Sequence, residues 1–367
     1  MPFKIGWMDT ASFLAALNER IPLSKAALWD KVGLQVGDRD APCRKVGVCH
    51  EVTDAVVAAA VGAELDLLVV YHPLLFDPVT AFIKGASPPG RAYALAESGI
   101  SLYVVHTAWD VAPGGGADAL AAAFALENLV PFGAEWGGDT VKIVTFVPTA
   151  DVDGVADALV AAGAGSVGHY TGAQFRVEGE GRFTPGPHAA PAIGTRGVPE
   201  SVIETRLEMI ATKQVLGAVI SALVAAHPYE EPAYDIVAVM ANAGFVGRRG
   251  TRASPMLLDE FAANVDEILQ TRSRVAGAGN KEISSVAVVP GSGGSFVAAV
   301  AGSVDVIVTG DVNHHTAQAA LSKGTAIVDC GHAPSERPGM AGLVAAVGDL
   351  GCETVDLTTI NTDPWSN

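Results

Sequence analysis

The chain has 367 residues, 49% of them hydrophobic and only 6% aromatic, with a formal net charge of −17. That length allows two or three domains with ample core. So acidic a surface repels phosphate backbones, which makes nucleic acid an unlikely partner.

The opening segment alternates helix and strand. Thr10–Glu19 reads as a helix, Val46–His50 as a short strand, Asp54–Val61 as a helix capped by Thr53 or Asp54, and Leu67–Tyr71 as a strand. Arg91–Glu97 is a helix, Leu102–Val105 a strand, and Gly114-Gly115-Gly116 opens the helix Ala117–Phe124. This βαβα order predicts a largely parallel sheet. After Gly137-Gly138 the pattern changes. Val141–Val147 is a strand, Val152–Ala162 a helix, Gly172–Val177 a strand and Gly179–Gly197 a Gly- and Pro-rich flexible loop. Ser201–Ala211 has poor apolar periodicity and is assigned to continue the preceding strand; Val215–Ala226 is a helix and Ala233–Val239 a closing strand. The order β-α-β-β-α-β fits a ferredoxin-like unit over residues 139–245. The α/β alternation then resumes with a helix at Ser254–Ala263 and a strand at Val286–Val289, which leads into Gly291-Ser-Gly-Gly-Ser295 and the helix Phe296–Ala301. Val304–Thr309 is a strand, Thr316–Ser322 a helix, Thr325–Asp329 a strand and Met340–Leu350 a helix. Residues 1–138 and 246–367 therefore form one discontinuous α/β core, interrupted by an inserted α+β domain.

The cysteines, Cys43, Cys49, Cys330 and Cys352, show no CxxC pairing and read as reduced core residues; Cys330 is set apart by its place two residues before His332. Met1–Trp7 carries no signal-peptide pattern, and the most apolar stretch, Ala55–Phe76, is interrupted by Glu64, Asp66 and His72. A cytoplasmic protein without a membrane span is expected.

Four apolar runs end in a histidine or a carboxylate: Leu67–Tyr71 at His72, Leu102–Val105 at His106, Val304–Thr309 at Asp311 with His314 and His315 after it, and Thr325–Asp329 near His332. In open α/β sheets ligands sit beyond the carboxyl ends of the strands. His72, Asp110, His332 and Glu336 are thus the core candidates for a metal site, with Glu336 placed to bridge two ions. The pair His106 and Asp110 is expected on a strand-to-loop turn. The plainer alternative is that each histidine caps a strand end by bonding a backbone carbonyl. Gly291–Ser295 could cradle a phosphate or be a tight strand–helix turn. Gly310–His315 offers partners that orient ligands or touch substrate. His227-Pro-Tyr-Glu-Glu-Pro232 reads as a loop stiffened by its prolines, with ligand binding as the other use.

At these residues the chain resembles the NIF-three-like proteins, often labelled GTP cyclohydrolase 1 type 2 homologues. The resemblance rests on Trp29-Asp-Lys-Val-Gly-Leu-Gln-Val-Gly37, His72-Pro-Leu-Leu-Phe76, His106-Thr-Ala-Trp-Asp110, Thr309-Gly-Asp-Val-Asn-His-His315 and Gly331-His-Ala-Pro-Ser-Glu336. The inserted segment, with His227-Pro-Tyr-Glu-Glu-Pro-Ala-Tyr-Asp235, resembles the PII/CutA-like domain of longer members. The resemblance implies a toroidal homohexamer, a trimer of dimers, with a dinuclear site facing its cavity. It makes His72, Asp110, His332 and Glu336 ligands to one or two Zn, Fe or Mn ions and places His106 beside them. The chain departs from the pattern at Tyr71, where many members carry a second consecutive histidine; a phenol is a poor ligand unless a metal draws off its proton.

The function so implied is a metal-dependent hydrolase of a nucleotide-like small molecule, with His106 or His314 moving protons. In the GTP cyclohydrolase reaction of the family label, water opens the purine imidazole ring. The alternative is a non-catalytic metal-binding or regulatory assembly, which the PII-like insert suits. A phosphoesterase using Gly291–Ser295 comes third.

Overall fold

The computed structural model describes residues 8–135, 140–167, 170–239 and 244–365. It divides into two compact units, Met1–Gly137 with Ala243–Asn367, and Gly138–Asn242. Among the described residues, no helix is long and apolar enough to cross a membrane.

The first unit begins with α1 (Thr10–Arg20), β1 (Gly33–Val36), β2 (Lys45–Cys49), α2 (Asp54–Gly62), β3 (Leu67–Val70), α3 (Pro88–Glu97), β4 (Ser101–Val104), α4 (His106–Val111), α5 (Gly116–Ala123) and β5 (Glu127–Glu135). The second unit supplies β6 (Thr140–Pro148), α6 (Val152–Ala161), β7 (Gln174–Phe183), β8 (Glu200–Thr212), α7 (Lys213–Ala226) and β9 (Tyr234–Ala238). The chain returns through β10 (Gly244–Leu257), α8 (Leu258–Leu269), β11 (Arg274–Ala276), β12 (Glu282–Ser292), α9 (Val297–Val300), β13 (Val306–Gly310), α10 (His314–Ser322), β14 (Ala326–Asp329), α11 (His332–Gly348) and β15 (Glu353–Asp356).

Two sheets build the first unit. One has the order β1-β4-β3-β2-β15, the other β11-β14-β13-β12-β10-β5. Strands β15, β2, β3 and β4 run parallel, as do β12, β13 and β14. Every residue of β3, β13 and β14 is buried, because helices cover both faces of these inner strands. Strands β1, β5, β10 and β11 pair antiparallel, so the sheets are mixed. Phe13, Leu17, Val46, Val69 and Leu343 pack one face of the first sheet, and Val56, Leu68, Leu95 and Val104 the other. Leu120, Phe261, Val265, Val288 and Val308 fill one face of the second sheet.

Several local expectations change. Residues 254–257, expected to be helical, extend β10, whose Met256 and Leu257 pair with Ile283 and Glu282; the helix begins only at Leu258. The last long helix starts at His332 rather than Met340 and carries Pro338 inside it. His106 and Asp110 lie on the short helix α4, not on a turn. Residues 179–183, placed in a loop, belong to β7. The edge strands β1, β5, β11 and β15 carry too little periodic apolar character to be read from sequence.

The second unit is a four-stranded antiparallel sheet of order β7-β8-β6-β9, with α6 and α7 as its helices. Val141, Ile143, Val155, Leu159, Leu207 and Leu223 form its core. His227 is buried there, its Nε2 against the Phe146 carbonyl at 3.0 Å and its Nδ1 accepting from the Tyr229 amide at 3.1 Å. That loop motif is therefore internally satisfied around its histidine.

Candidate metal centre

The site grows out of parallel register. Cys49 lies opposite Val70, and Val70 opposite Val104. The ladder continues one step past the strands: the Tyr71 amide donates to the Cys49 carbonyl, His72 to His50, and His106 to Tyr71, at 2.9–3.1 Å. Three neighbouring strands thus deliver His50, Tyr71, His72 and His106 to one edge. In the second sheet Thr309 pairs with Asp329, and the Cys330 amide donates to the Thr309 carbonyl at 2.9 Å, which aligns Asp311 with the turn Cys330–Gly331. Gly331, at φ +88°, turns that strand into α11, and Glu336 follows His332 by one helical turn.

Glu336 is the hub. Its side chain is 3% exposed. Oε2 faces His50 Nε2 at 2.9 Å and His72 Nε2 at 3.1 Å; Oε1 faces His332 Nε2 at 3.0 Å. The Tyr71 hydroxyl donates to Asp110 Oδ1 at 2.6 Å and lies 3.4 Å from Glu336 Oε1. Behind these groups, His332 Nδ1 meets Asp311 Oδ2 at 2.7 Å, and His106 Nδ1 meets Asp30 Oδ1 at 2.8 Å. Asp30 also accepts from the Thr107 amide at 3.1 Å and from the Thr107 hydroxyl. Such partners fix the tautomer and direction of an imidazole.

The electrostatics divide the two central carboxyls. Burial alone would raise the Glu336 pKa, but hydrogen bonds from His332, His50 and His72 outweigh it and hold Glu336 well below the usual carboxylate range. Asp110 is pushed up to about 7, first by burial and then by the negative charge of Glu336. Burial, followed by Asp110 and Glu336, raises the Tyr71 phenol far above its ordinary value. Burial pushes His72 down, partly offset by Glu336. His332 rises to about 9 because Glu336 and Asp311 overcome its burial.

Glu336, Asp110, His50, His72 and His332 line a cavity of about 770 Å³ with His106, Trp29, Phe76, Phe296 and Trp365. The Trp29 and Phe76 rings stand 6.2 Å apart at 53°. Among the described residues, the cavity wall contains no lysine or arginine. His106 (φ +30°) and Asp311 (φ +55°) hold left-handed backbone beside the site. Such strain, on the order of 1–3 kcal/mol for each residue, persists only where surrounding packing enforces it.

Of the residues singled out from sequence, His72, His106, Asp110, His332, Glu336 and Tyr71 come together here. His314 does not: it is exposed at the start of α10, where Asn313 caps the helix, and it is not among the cavity-lining residues. Cys330 is buried, its thiol pushed up to about 12 by burial, and it packs in the core of the second sheet. The Gly291–Ser295 segment is the end of β12 followed by a 3-10 turn, tied to its neighbours by two of its amides. The Gly291 amide donates to Ser335 Oγ at 2.8 Å and the Gly293 amide to Thr309 Oγ1 at 3.0 Å, and the helix that follows is only Val297–Val300. Sequence reasoning passed over His50, although it ends the strand Val46–His50 in the same manner as its neighbours; that position was the available signal. Asp30, inside the Trp29–Gly37 motif, was likewise given no separate role.

The profile of the Duf34/NIF3 (NGG1p interacting factor 3) family matches residues 8–364. This chain belongs to the DUF34/NIF3 family. A curated relative from Halalkalibacterium halodurans, named GTP cyclohydrolase 1 type 2 homolog, is 36% identical over 317 residues, 85% of each chain. One of the same name from Mycobacterium leprae is 36% identical over 366 residues, covering 97% of this chain and 94% of its own. The crystal structure of a Bacillus cereus protein related to NIF3 matches with a TM-score of 0.65 at 32% identity, covering both chains fully. The Staphylococcus aureus protein SA1388 matches with a TM-score of 0.69 at 26% identity over 98% of this chain and 99% of its own.

Proposed function

We propose that this NIF3-family chain is a divalent-metal-dependent hydrolase acting on a nucleotide-like small molecule, the class suggested by the name its relatives carry. The observation that carries the reading is Glu336: one buried carboxylate faced by three imidazoles drawn from three separate segments. The donor set fits Zn, Fe or Mn, which take imidazole nitrogen and carboxylate oxygen. His72, Asp110, His332 and Glu336 are the proposed family ligands, to one or two ions. A divalent ion, if held by these residues, would supply a water activated near neutral pH.

The chain's own residues do the rest. Trp29 and Phe76 offer two inclined aromatic faces against which a purine-sized ring can pack. His106, held by Asp30 and facing the cavity, is the group placed to carry a proton to or from the substrate. His314 has no part in this reading. Because, among the described residues, the wall has no lysine or arginine, substrate phosphates gain no counter-charge from such a side chain. This favours recognition through the base, and the Gly291 and Gly293 amides, already bonded to Ser335 and Thr309, speak against a phosphoesterase.

The larger frame is proposed with it: a cytoplasmic homohexamer, a trimer of dimers, whose inserted unit is ferredoxin-like of the PII/CutA type. The β-α-β-β-α-β order and the sheet order β7-β8-β6-β9 support that assignment of the insert. A second reading, a non-catalytic metal-binding or regulatory assembly, is favoured by one observation, the Tyr71 phenol standing among the ligands.

The test is turnover of GTP by metal-loaded protein, with Glu336→Gln alongside. Ring opening that disappears in the variant supports the hydrolase. Metal bound through Glu336 without turnover of GTP or related purines supports the second reading. Light scattering that gives a monomer overturns the hexamer.

A further inference from the structure

Glu336 presents two different faces. On the Oε2 side, the ligand atoms of His50, His72 and Glu336 all lie within 4.8 Å of one another. Donors held about 2.1 Å from one tetrahedral ion sit about 3.4 Å apart. The observed Nε2–Oε2 separations of 2.9 and 3.1 Å need to open by only a few tenths of an ångström to reach that geometry. The His50 and His72 rings meet edge-on at 4.8 Å, and His50 Nδ1 rests 3.3 Å from Thr362 Oγ1, which aims Nε2 inward. Two imidazoles and one carboxylate, with the remaining positions open to the cavity, form the ligand set of a catalytic rather than a closed structural site.

The Oε1 side is already filled. A second ion bridged by Glu336 would have to share the space between Oε1 and Asp110. The Tyr71 hydroxyl occupies that space, bonded to Asp110 and in reach of Oε1. Its ring is 1% exposed and stacks on His50 at 5.3 Å and 12°, so it has no room to swing out. The phenolic proton does there, for two neighbouring carboxyls, what a cation would otherwise do.

We propose that this chain holds a single divalent cation, Zn²⁺ or Fe²⁺, on His50, His72 and Glu336, and that Tyr71 closes the second position. The inference rests on the metal-binding reading of the site and changes its ligands and its stoichiometry. His50 becomes a ligand, Asp110 becomes the acceptor that anchors Tyr71, and His332 orients Glu336 from the far side.

The experiment is Co²⁺ titration of chelator-stripped full-length protein, read by visible absorption and by elemental analysis, with melting curves to confirm folding. The expected results are saturation at one ion per chain, affinity lowered about 100-fold or more in His50→Ala, beyond what loss of an orienting partner costs, and an undiminished first ion in Asp110→Asn. Tyr71→His is expected to take up a second ion. Wild-type saturation at two ions, or affinity in His50→Ala within a few-fold of wild type, overturns the proposal. Should His50→Ala not fold, the wild-type and Tyr71→His stoichiometries decide: one and two support it, and equal values overturn it. Failure of the underlying reading looks different: no Co²⁺ bound by the wild type, or binding that survives Glu336→Gln.

Discussion

Gly291 offers a direct measure of how tightly the carboxylate hub is built. Its φ is +63°, and a Cβ placed on it would lie 2.5 Å from Glu336 Oε1 and 3.4 Å from His332 Nε2. Alanine in left-handed backbone costs about 1–2 kcal/mol. The clash adds about 1–3 kcal/mol, the usual cost of overpacking, because Glu336 is locked by three imidazoles and cannot swing aside freely. The total is roughly 2–5 kcal/mol. At about 2–4 °C per kcal/mol for a unit of this size, the apo protein should melt at least about 4 °C lower. Gly99→Ala is the control: φ is +72° there, but nothing lies within 4 Å of the added carbon, so only the backbone cost of about 1–2 kcal/mol applies. The assay is thermal unfolding by circular dichroism in chelator, followed by metal affinity of the refolded variants. Gly291→Ala should melt below Gly99→Ala and lose metal affinity, whereas Gly99→Ala should keep it. Equal melting points with unchanged affinity would refute the claim that Gly291 exists to admit Glu336.

Asp30 and His106 should leave a pH signature in the apo protein. The Asp30 pKa is lowered, because hydrogen bonds from His106 and Thr107 outweigh its burial, and that of His106 is raised, because Asp30 outweighs its own burial. The Asp30 contribution is therefore present above about pH 3.9 and lost as pH falls through its lower folded value. The His106 contribution is complete below about pH 6.5 and lost as pH rises through its higher folded value. Asp30→Asn should cost on the order of 2–4 kcal/mol between about pH 4 and 6.5 and less above it; a loss by urea unfolding that is uniform with pH would contradict the pairing. Tyr71→Phe leaves buried Asp110 without its donor and should destabilise the apo protein by on the order of 1–3 kcal/mol, read as a shift in urea midpoint; an unchanged midpoint would mean that the hydroxyl is not bonded there. His314→Ala should leave metal content and turnover at wild-type levels, and a tenfold drop in turnover would return His314 to the site.

The sequence alone determined which strands are buried on both faces, because Leu67–Val70, Val306–Val308 and Ala326–Val328 are uninterrupted apolar runs with nowhere polar to turn. It also determined that His72, His106, Asp110, His332 and Glu336 belong together, since each follows the end of such a run or lies one helical turn beyond it. Helix starts were less legible: His332–Gly348 begins eight residues before its apolar stretch, with Pro334 and Pro338 disguising it. The edge strands were invisible, because an edge is held by backbone pairing to a neighbour distant in sequence rather than by its own pattern. Only the tertiary structure decided which ends meet. Parallel register set His50 beside His72, chain reversal at Gly331 aimed Glu336 at both, and the turn into α10 left His314 outside. A histidine's role depends on the carboxylate that reaches it, and for His50 that carboxylate comes from Glu336, on a helix contributed by the other end of the chain.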